Sequence, residues 1–140
     1  MESIAKILII IALLPLLKAA PSFPKNLFTF WDGPIDPLTK ISIESMRKAS
    51  TASNWSFTII SKSTIEAHLT PESHSQLLDL MGSNSNSMSL TDLADLVRIF
   101  TLYDNGGMWM DASIFAFNNL DWVHNLDNEL FIYNKAVTDP

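Results

Sequence analysis

The stretch that most constrains the fold is LTDLADLVRIFTLYDNGGMWMDASIFAF, residues 90–117. It opens as an amphipathic helix. Ser89 precedes Asp92 by three residues, a spacing that lets side chain and backbone satisfy each other's unpaired donors at a helix start. Leu93, Leu96, Val97, Phe100 and Tyr103 recur at helical spacing and predict the buried stripe. Asp95 and Arg98, three residues apart, reach each other on a neighbouring face. Gly106 and Gly107 end the helix, where a left-handed backbone carries no steric cost only for glycine. Met108, Trp109 and Met110 then predict a short buried strand that delivers Asp111 to a sheet edge. In open α/β sheets, ligands bind at that edge.

The rest of the 140-residue chain supplies partners for this unit. Asn26 to Trp31 (NLFTFW) predicts an aromatic strand closed by the turn residues Asp32, Gly33 and Pro34. Pro37 to Ala49 predicts a helix with Ile41, Ile43 and Met46 toward the core. Trp55 to Ile60 (WSFTII) reads as a buried strand, β-branched and aromatic. Ser63–Leu69 and Pro71–Met81 predict two short helices, the second with proline in its first turn. Gly82 to Ser87 is a polar loop, and Glu129 to Asn134 predicts one further strand. Strands alternating with helices imply an α/β fold of parallel β-α-β units.

Residues 1–20 stand apart. The apolar run Ile7 to Leu17 is too short for a spanning helix, which needs ~20 residues. It suits the core of a signal peptide, with Ala19, Ala20 and Ser22 as small residues near a cleavage point. A short membrane anchor or a hydrophobic helix of the domain are the other readings. Asn54-Trp55-Ser56 is an N-glycosylation sequon that matters only if that leader routes the chain into a eukaryotic secretory pathway.

Several chemistries are excluded. The chain has no cysteine, so disulfides, thiolate zinc sites and cysteine nucleophiles are absent. A net charge of −6 without a basic stripe argues against nucleic-acid binding. No glycine-rich phosphate loop or serine nucleophile elbow is present. His68, His74 and His124 lack the spacing of zinc ligands and read as surface or packing residues. The candidate chemistry is therefore acidic. Asp111 is a carboxylate suited to sugar hydroxyls or to an oxygen-loving cation such as Mg²⁺ or Mn²⁺. Alone it is as readily a turn cap, Asp95 with Arg98 a structural ion pair, and Trp31 a core aromatic.

Together these residues follow a known order. Ala94-Asp95-x-x-Arg98, then Leu102-Tyr103-x-x-Gly106-Gly107-x-Trp109-x-Asp111, resembles the signature of glycosyltransferases with a DXD sugar-binding region. The resemblance is strongest toward the capsular-polysaccharide-synthesis branch. Yeast-type mannosyltransferases and clostridial glucosylating toxins are more distant relatives. Phe30-Trp31-Asp32-Gly33 matches the family's opening aromatic strand, and the likeness covers about residues 24 to 135.

The resemblance implies a GT-A type, Rossmann-like nucleotide-binding sheet with flanking helices over residues 24–140, incomplete at its C-terminus relative to longer family members. It implies transfer of a sugar from a nucleotide-sugar donor to a glycan acceptor, in the secretory pathway or at a membrane reached through the N-terminal segment. Trp31 would stack on the nucleobase, and Asp95 and Arg98 would hold sugar hydroxyls. Gly106 and Gly107 belong to the same donor-binding block. Asp111 would be the first acid of the DXD element, touching hydroxyls and supporting a Mn²⁺- or Mg²⁺-bridged diphosphate. The third DXD position is Ser113, a neutral and weaker ligand than the acid many relatives carry. No residue is identified as nucleophile or base. A non-catalytic nucleotide-sugar or carbohydrate-binding remnant of the same fold is the alternative.

Overall fold

A computed structural model describes residues 23–83 and 88–124. The leader and the strand expected at Glu129 to Asn134 lie outside the described residues. Three parallel strands form the sheet: β1 (Asn26–Phe30), β2 (Ser56–Ile60) and β3 (Met108–Trp109). Their spatial order is β2-β1-β3. Leu27 stands opposite both Phe57 and Met108, so β1 is the central strand. Its burial follows: Leu27, Phe28, Thr29 and Phe30 are all buried. The ladders run one residue past the strands, with Trp31 N–H bonded to the Ile60 carbonyl and Met110 N–H to that of Phe28.

Four helices accompany the sheet: α1 (Pro37–Ala52), α2 (Pro71–Ser83), α3 (Leu90–Asn105) and the single turn α4 (Asp121–His124). Alternation along β1 sends its side chains to two cores. Leu27 packs with Met46 and Ala49 of α1, with Trp55, and with Leu120 and Val123. Phe28 and Phe30 pack on the other face with Leu77 of α2 and with Leu93 and Val97 of α3. The first crossover moves from β1 to β2, and the second returns past β1 to β3. Parallel crossovers are right-handed, so reversing direction forces their helices onto opposite faces. Each side chain so buried is worth about 1.5–3 kcal/mol relative to exposure.

Local chemistry sets the helix ends. Asp36 caps α1, accepting from the amides of Leu38 at 2.9 Å and Thr39 at 3.1 Å, with Pro37 in the first turn. The hydroxyl and amide of Thr39, with the Leu38 amide, hold the Asp36 carboxyl below its ordinary pKa. Ser89 and Asp92 form the expected capping box of α3. The Thr70 hydroxyl caps α2 by accepting from the Ser73 amide at 3.3 Å, and a carboxylate 31 to 34 residues away braces that cap. Asp104 of α3 accepts from the Thr70 amide at 2.7 Å and the Ser73 hydroxyl at 2.8 Å. Burial pushes the Asp104 carboxyl up, but those bonds and one from the Thr70 hydroxyl together hold it below its ordinary value.

Six expectations change. Tyr103 is 84% exposed and Ile41 is 55% exposed, so neither is core. The buried line of α3 is Leu93, Val97 and Thr101, with Leu96 and Phe100 half-buried beside it. β2 is only partly buried, because it has β1 on one side alone. β3 is half-buried for the same reason. Gly82 and Ser83 are the last residues of α2 rather than loop, and residues 84–87 lie outside the described residues. The helix expected at Ser63–Leu69 narrows to a 3₁₀ turn at Ile65–His68. No helix among the described residues is long and apolar enough to cross a membrane.

Candidate functional site

The strand order marks one place on the molecule. The chain leaves β1 in one direction and returns to it from the other, so the crevice beyond the carboxyl ends of β1 and β3 is the topological switch point. Ligands of open α/β sheets bind at such points. Trp31 follows β1 there, and Asp111 follows β3.

Arg98 reaches this edge from α3. Gly106, at the far end of α3, packs on Pro24 beside the start of β1. The helix thus runs antiparallel to β3 and brings its first half back to the carboxyl edge. One terminal nitrogen of Arg98 lies 2.6 Å from Asp111 Oδ1 and 3.2 Å from Asp95 Oδ1. The same Asp111 oxygen accepts the indole N–H of Trp109 at 2.9 Å. The Arg98 guanidinium also sits 5.6 Å from the Trp109 ring centroid, within cation–π range. Arg98 from the helix and Trp109 from the strand therefore converge on the Asp111 carboxylate, and Asp95 pairs with the same Arg98 nitrogen.

Their energetics say what the cluster is not for. The Asp95 and Asp111 side chains are 57% and 53% exposed. Ion pairs this open to solvent stabilise a fold by only about 0–1 kcal/mol. A solvent-facing group of two acids, one guanidinium and an indole N–H instead offers acceptors and donors in the arrangement that polyhydroxylated ligands need.

The expected site residues divide into groups. Asp95, Arg98 and Asp111 come together as the sequence implied. Trp31 stands at the same sheet edge on the neighbouring strand, half-buried, its indole N–H directed to the Pro34 carbonyl at 3.3 Å. Gly106 and Gly107 lie at the opposite, amino edge of β3. There an added Cβ on Gly107 would stand 2.5 Å from the Asn26 carbonyl oxygen, so this glycine lets two strands approach. Ser113 is exposed in the turn after Asp111, which the Asp111 carbonyl closes by accepting from Ile114 N–H at 2.8 Å. Trp109 went unassigned at the sequence level. The signal was present: residues two apart on a strand share a face, so Trp109 and Asp111 must meet.

The residues present do not fit a divalent cation as they are arranged. Asp111 is engaged by Arg98 and Trp109, and Ser113 is neutral. No group of three His, Asp or Glu side chains suited to a metal occurs among the described residues.

A wider concavity lies elsewhere. A groove of about 690 Å³ separates α1 from the segment 115–119 and contains none of these residues. It is lined by Ile41, Lys48, Phe115 and Phe117 among others. Size alone favours the groove. The Asp111 edge is preferred because polar groups converge on it at the switch point.

The family model for the capsular polysaccharide synthesis protein matches residues 17–140, nearly the whole chain. No curated protein and no solved structure shows significant similarity. The match spans the helix-turn-strand unit and every residue of the Asp111 cluster, and on it the chain belongs to the capsular polysaccharide synthesis protein family.

Proposed function

We propose that the chain is the donor-binding part of a glycosyltransferase that takes a sugar from a nucleotide-sugar donor and passes it to a glycan acceptor. The family's role in polysaccharide synthesis implies sugar-related substrates. The observation that carries the finer reading is the convergence of Asp95, Arg98, Trp109 and Asp111 at the carboxyl edge of the sheet.

In this reading the Asp95 and Asp111 carboxylates accept hydrogen bonds from donor hydroxyls, and Trp31 offers its ring face to the nucleobase. Base stacking on an aromatic contributes about 1–3 kcal/mol without selecting strongly among bases. Arg98, with up to five N–H donors, orients both carboxylates and is the nearest positive charge to a departing diphosphate. Asp111-Ala112-Ser113 occupies the position of the DXD element. The pattern of residues 1–20 suits work in the secretory pathway or at a membrane surface.

The test is binding and hydrolysis of a panel of nucleotide sugars by the wild type and by Asp111→Asn, with and without Mn²⁺. Binding of at least one donor by the wild type and its loss in the variant is expected. Full retention of binding and turnover in Asp111→Asn overturns the assignment. A second reading, binding without transfer, is favoured by the neutral Ser113. Tight donor binding with no transfer to any acceptor glycan would select it.

A further inference from the structure

Metal-dependent transfer needs a cation placed between carboxylates, and here that place is taken by a side chain. The Asp95 and Asp111 oxygens lie within 3.2 Å and 2.6 Å of the same Arg98 nitrogen. Two acids arranged about one positive centre are what a small divalent ion requires, and a guanidinium nitrogen occupies the centre. We propose that Arg98 is the resident cation of this site and keeps divalent metal off Asp95 and Asp111 in the ligand-free protein.

Two features hold it there. Asp95 lies one helical turn before Arg98 on α3, so their contact is set by the helix itself. The Trp109 ring lies within cation–π distance, and its N–H fixes the Asp111 oxygen that Arg98 uses. A divalent ion would have to displace a fixed charge from both acids, and no group of three His, Asp or Glu side chains among the described residues offers it a fuller set of ligands. The use of this charge toward a donor diphosphate rests on the donor-site reading above, but the exclusion of metal does not.

The test is a titration of the full chain with Mn²⁺ alone, followed by the loss of the free-ion electron paramagnetic resonance signal. The wild type should show no saturable binding that depends on Asp111. Arg98→Met, which keeps length and apolar contact with Trp109 but removes charge, should bind Mn²⁺ roughly tenfold or more tightly, the size of effect that a metal site's immediate surroundings exert. Arg98→Met/Asp111→Asn should lose that gain. Arg98→Lys, which keeps the charge, should behave as wild type and serves if the methionine variant does not fold. Saturable Mn²⁺ binding by the wild type that Asp111→Asn abolishes would overturn the proposal. So would an Arg98→Met variant that is folded and binds no better than wild type, or an Arg98→Lys variant with a tenfold gain. No nucleotide is present in this titration, so its outcome is independent of whether a nucleotide sugar binds.

Discussion

Replacing Gly107 by alanine is expected to destabilise the protein far more than the same change at either of two other glycines. Gly107 has φ +93°, and its added Cβ would meet Asn26 O at 2.5 Å and Asn26 Cβ at 2.9 Å. The contact with a carbonyl oxygen of the central strand cannot be relieved by rotating a side chain. A left-handed backbone costs an alanine about 1–2 kcal/mol, and forcing extra volume into a packed site costs about 1–3 more. The sum, ~2–5 kcal/mol, is a large share of the ~5–15 kcal/mol that holds a domain together. At about 4 °C per kcal/mol, the midpoint of thermal unfolding should fall by roughly 8–20 °C. Gly106→Ala, at φ +61°, has only Pro24 ring atoms as its three nearest neighbours, the closest at 2.9 Å, and no strand carbonyl among them. Its loss should stay near the backbone cost alone. Gly82→Ala lies in α2 with nothing within 4 Å and should be neutral or stabilise by about 0.5–1 kcal/mol. Circular dichroism melts of the three variants give the order directly. A Gly107→Ala variant no less stable than Gly106→Ala would show that β1 and β3 do not depend on this approach, and the account of how Asp111 is positioned would fail with it.

Other perturbations separate structure from site. Asp104→Asn should lower stability by about 1 kcal/mol at neutral pH, the scale of lost hydrogen bonds to a charged acceptor, here the one that braces the α2 cap. Because folding depresses the Asp104 pKa below its ordinary 3.8, the wild-type advantage is complete above that value and disappears as pH falls through the folded-state pKa. Urea midpoints of both proteins at neutral pH and near pH 3 check it, and a difference that grows in acid would contradict the sign. Asp111→Asn should change the thermal midpoint by only a few degrees, since exposed ion pairs contribute about 0–1 kcal/mol. A collapse of the fold in that variant would make Asp111 a structural residue. Ser53→Ala should cost about 1–3 kcal/mol, because the Ser53 hydroxyl accepts the Leu120 amide at 2.6 Å in a buried setting and alanine leaves that amide unpaired. Chemical denaturation measures it, and an unchanged midpoint would show that the segment beyond Asp111 is held to α1 by other means.

Much of this arrangement is legible in the residues, and the failures have physical causes. The capping box at Ser89 and Asp92, the glycine stop at Gly106 and the Asp95–Arg98 pair are local, and each appears as its spacing predicts. The parallel alternation also follows from the order of the elements. Tyr103 is exposed despite its aromatic ring, because its angle on the helix decides its place. At ~100° per residue it lies ~120° round from the line through Leu93, Val97 and Thr101. The polar Thr101 takes the buried place instead, fully enclosed. Asp36 before Pro37 carries a readable cap signal. The Thr70 cap of α2 is equally local, but the Asp104 brace behind it has no such signal, since nothing local links residue 104 to residues 70 and 73. The half-burial of β2 and β3 depends on strand order, which no single strand encodes. The site was legible in part. The order of Asp95, Arg98 and Asp111 along the chain is what the family resemblance singles out, but that all three meet at one nitrogen follows only from α3 folding back on β3. The two glycines share the motif and not the place.

The central claim is that a nucleotide sugar binds at the carboxyl edge between β1 and β3. Tryptophan indole N–H signals test it most directly, because the chain has four tryptophans in distinct places. Trp31 and Trp109 stand at that edge, with the Trp109 N–H bonded to Asp111 itself. Trp55 is buried against Leu27 and Met46, and Trp122 lies in α4. In a ¹⁵N-resolved titration with a panel of nucleotide sugars, the Trp31 and Trp109 resonances should move together and saturate. The Trp55 and Trp122 resonances should stay in place. Saturable shifts confined to Trp55 and Trp122, or no shift with any donor of the panel, would contradict the claim.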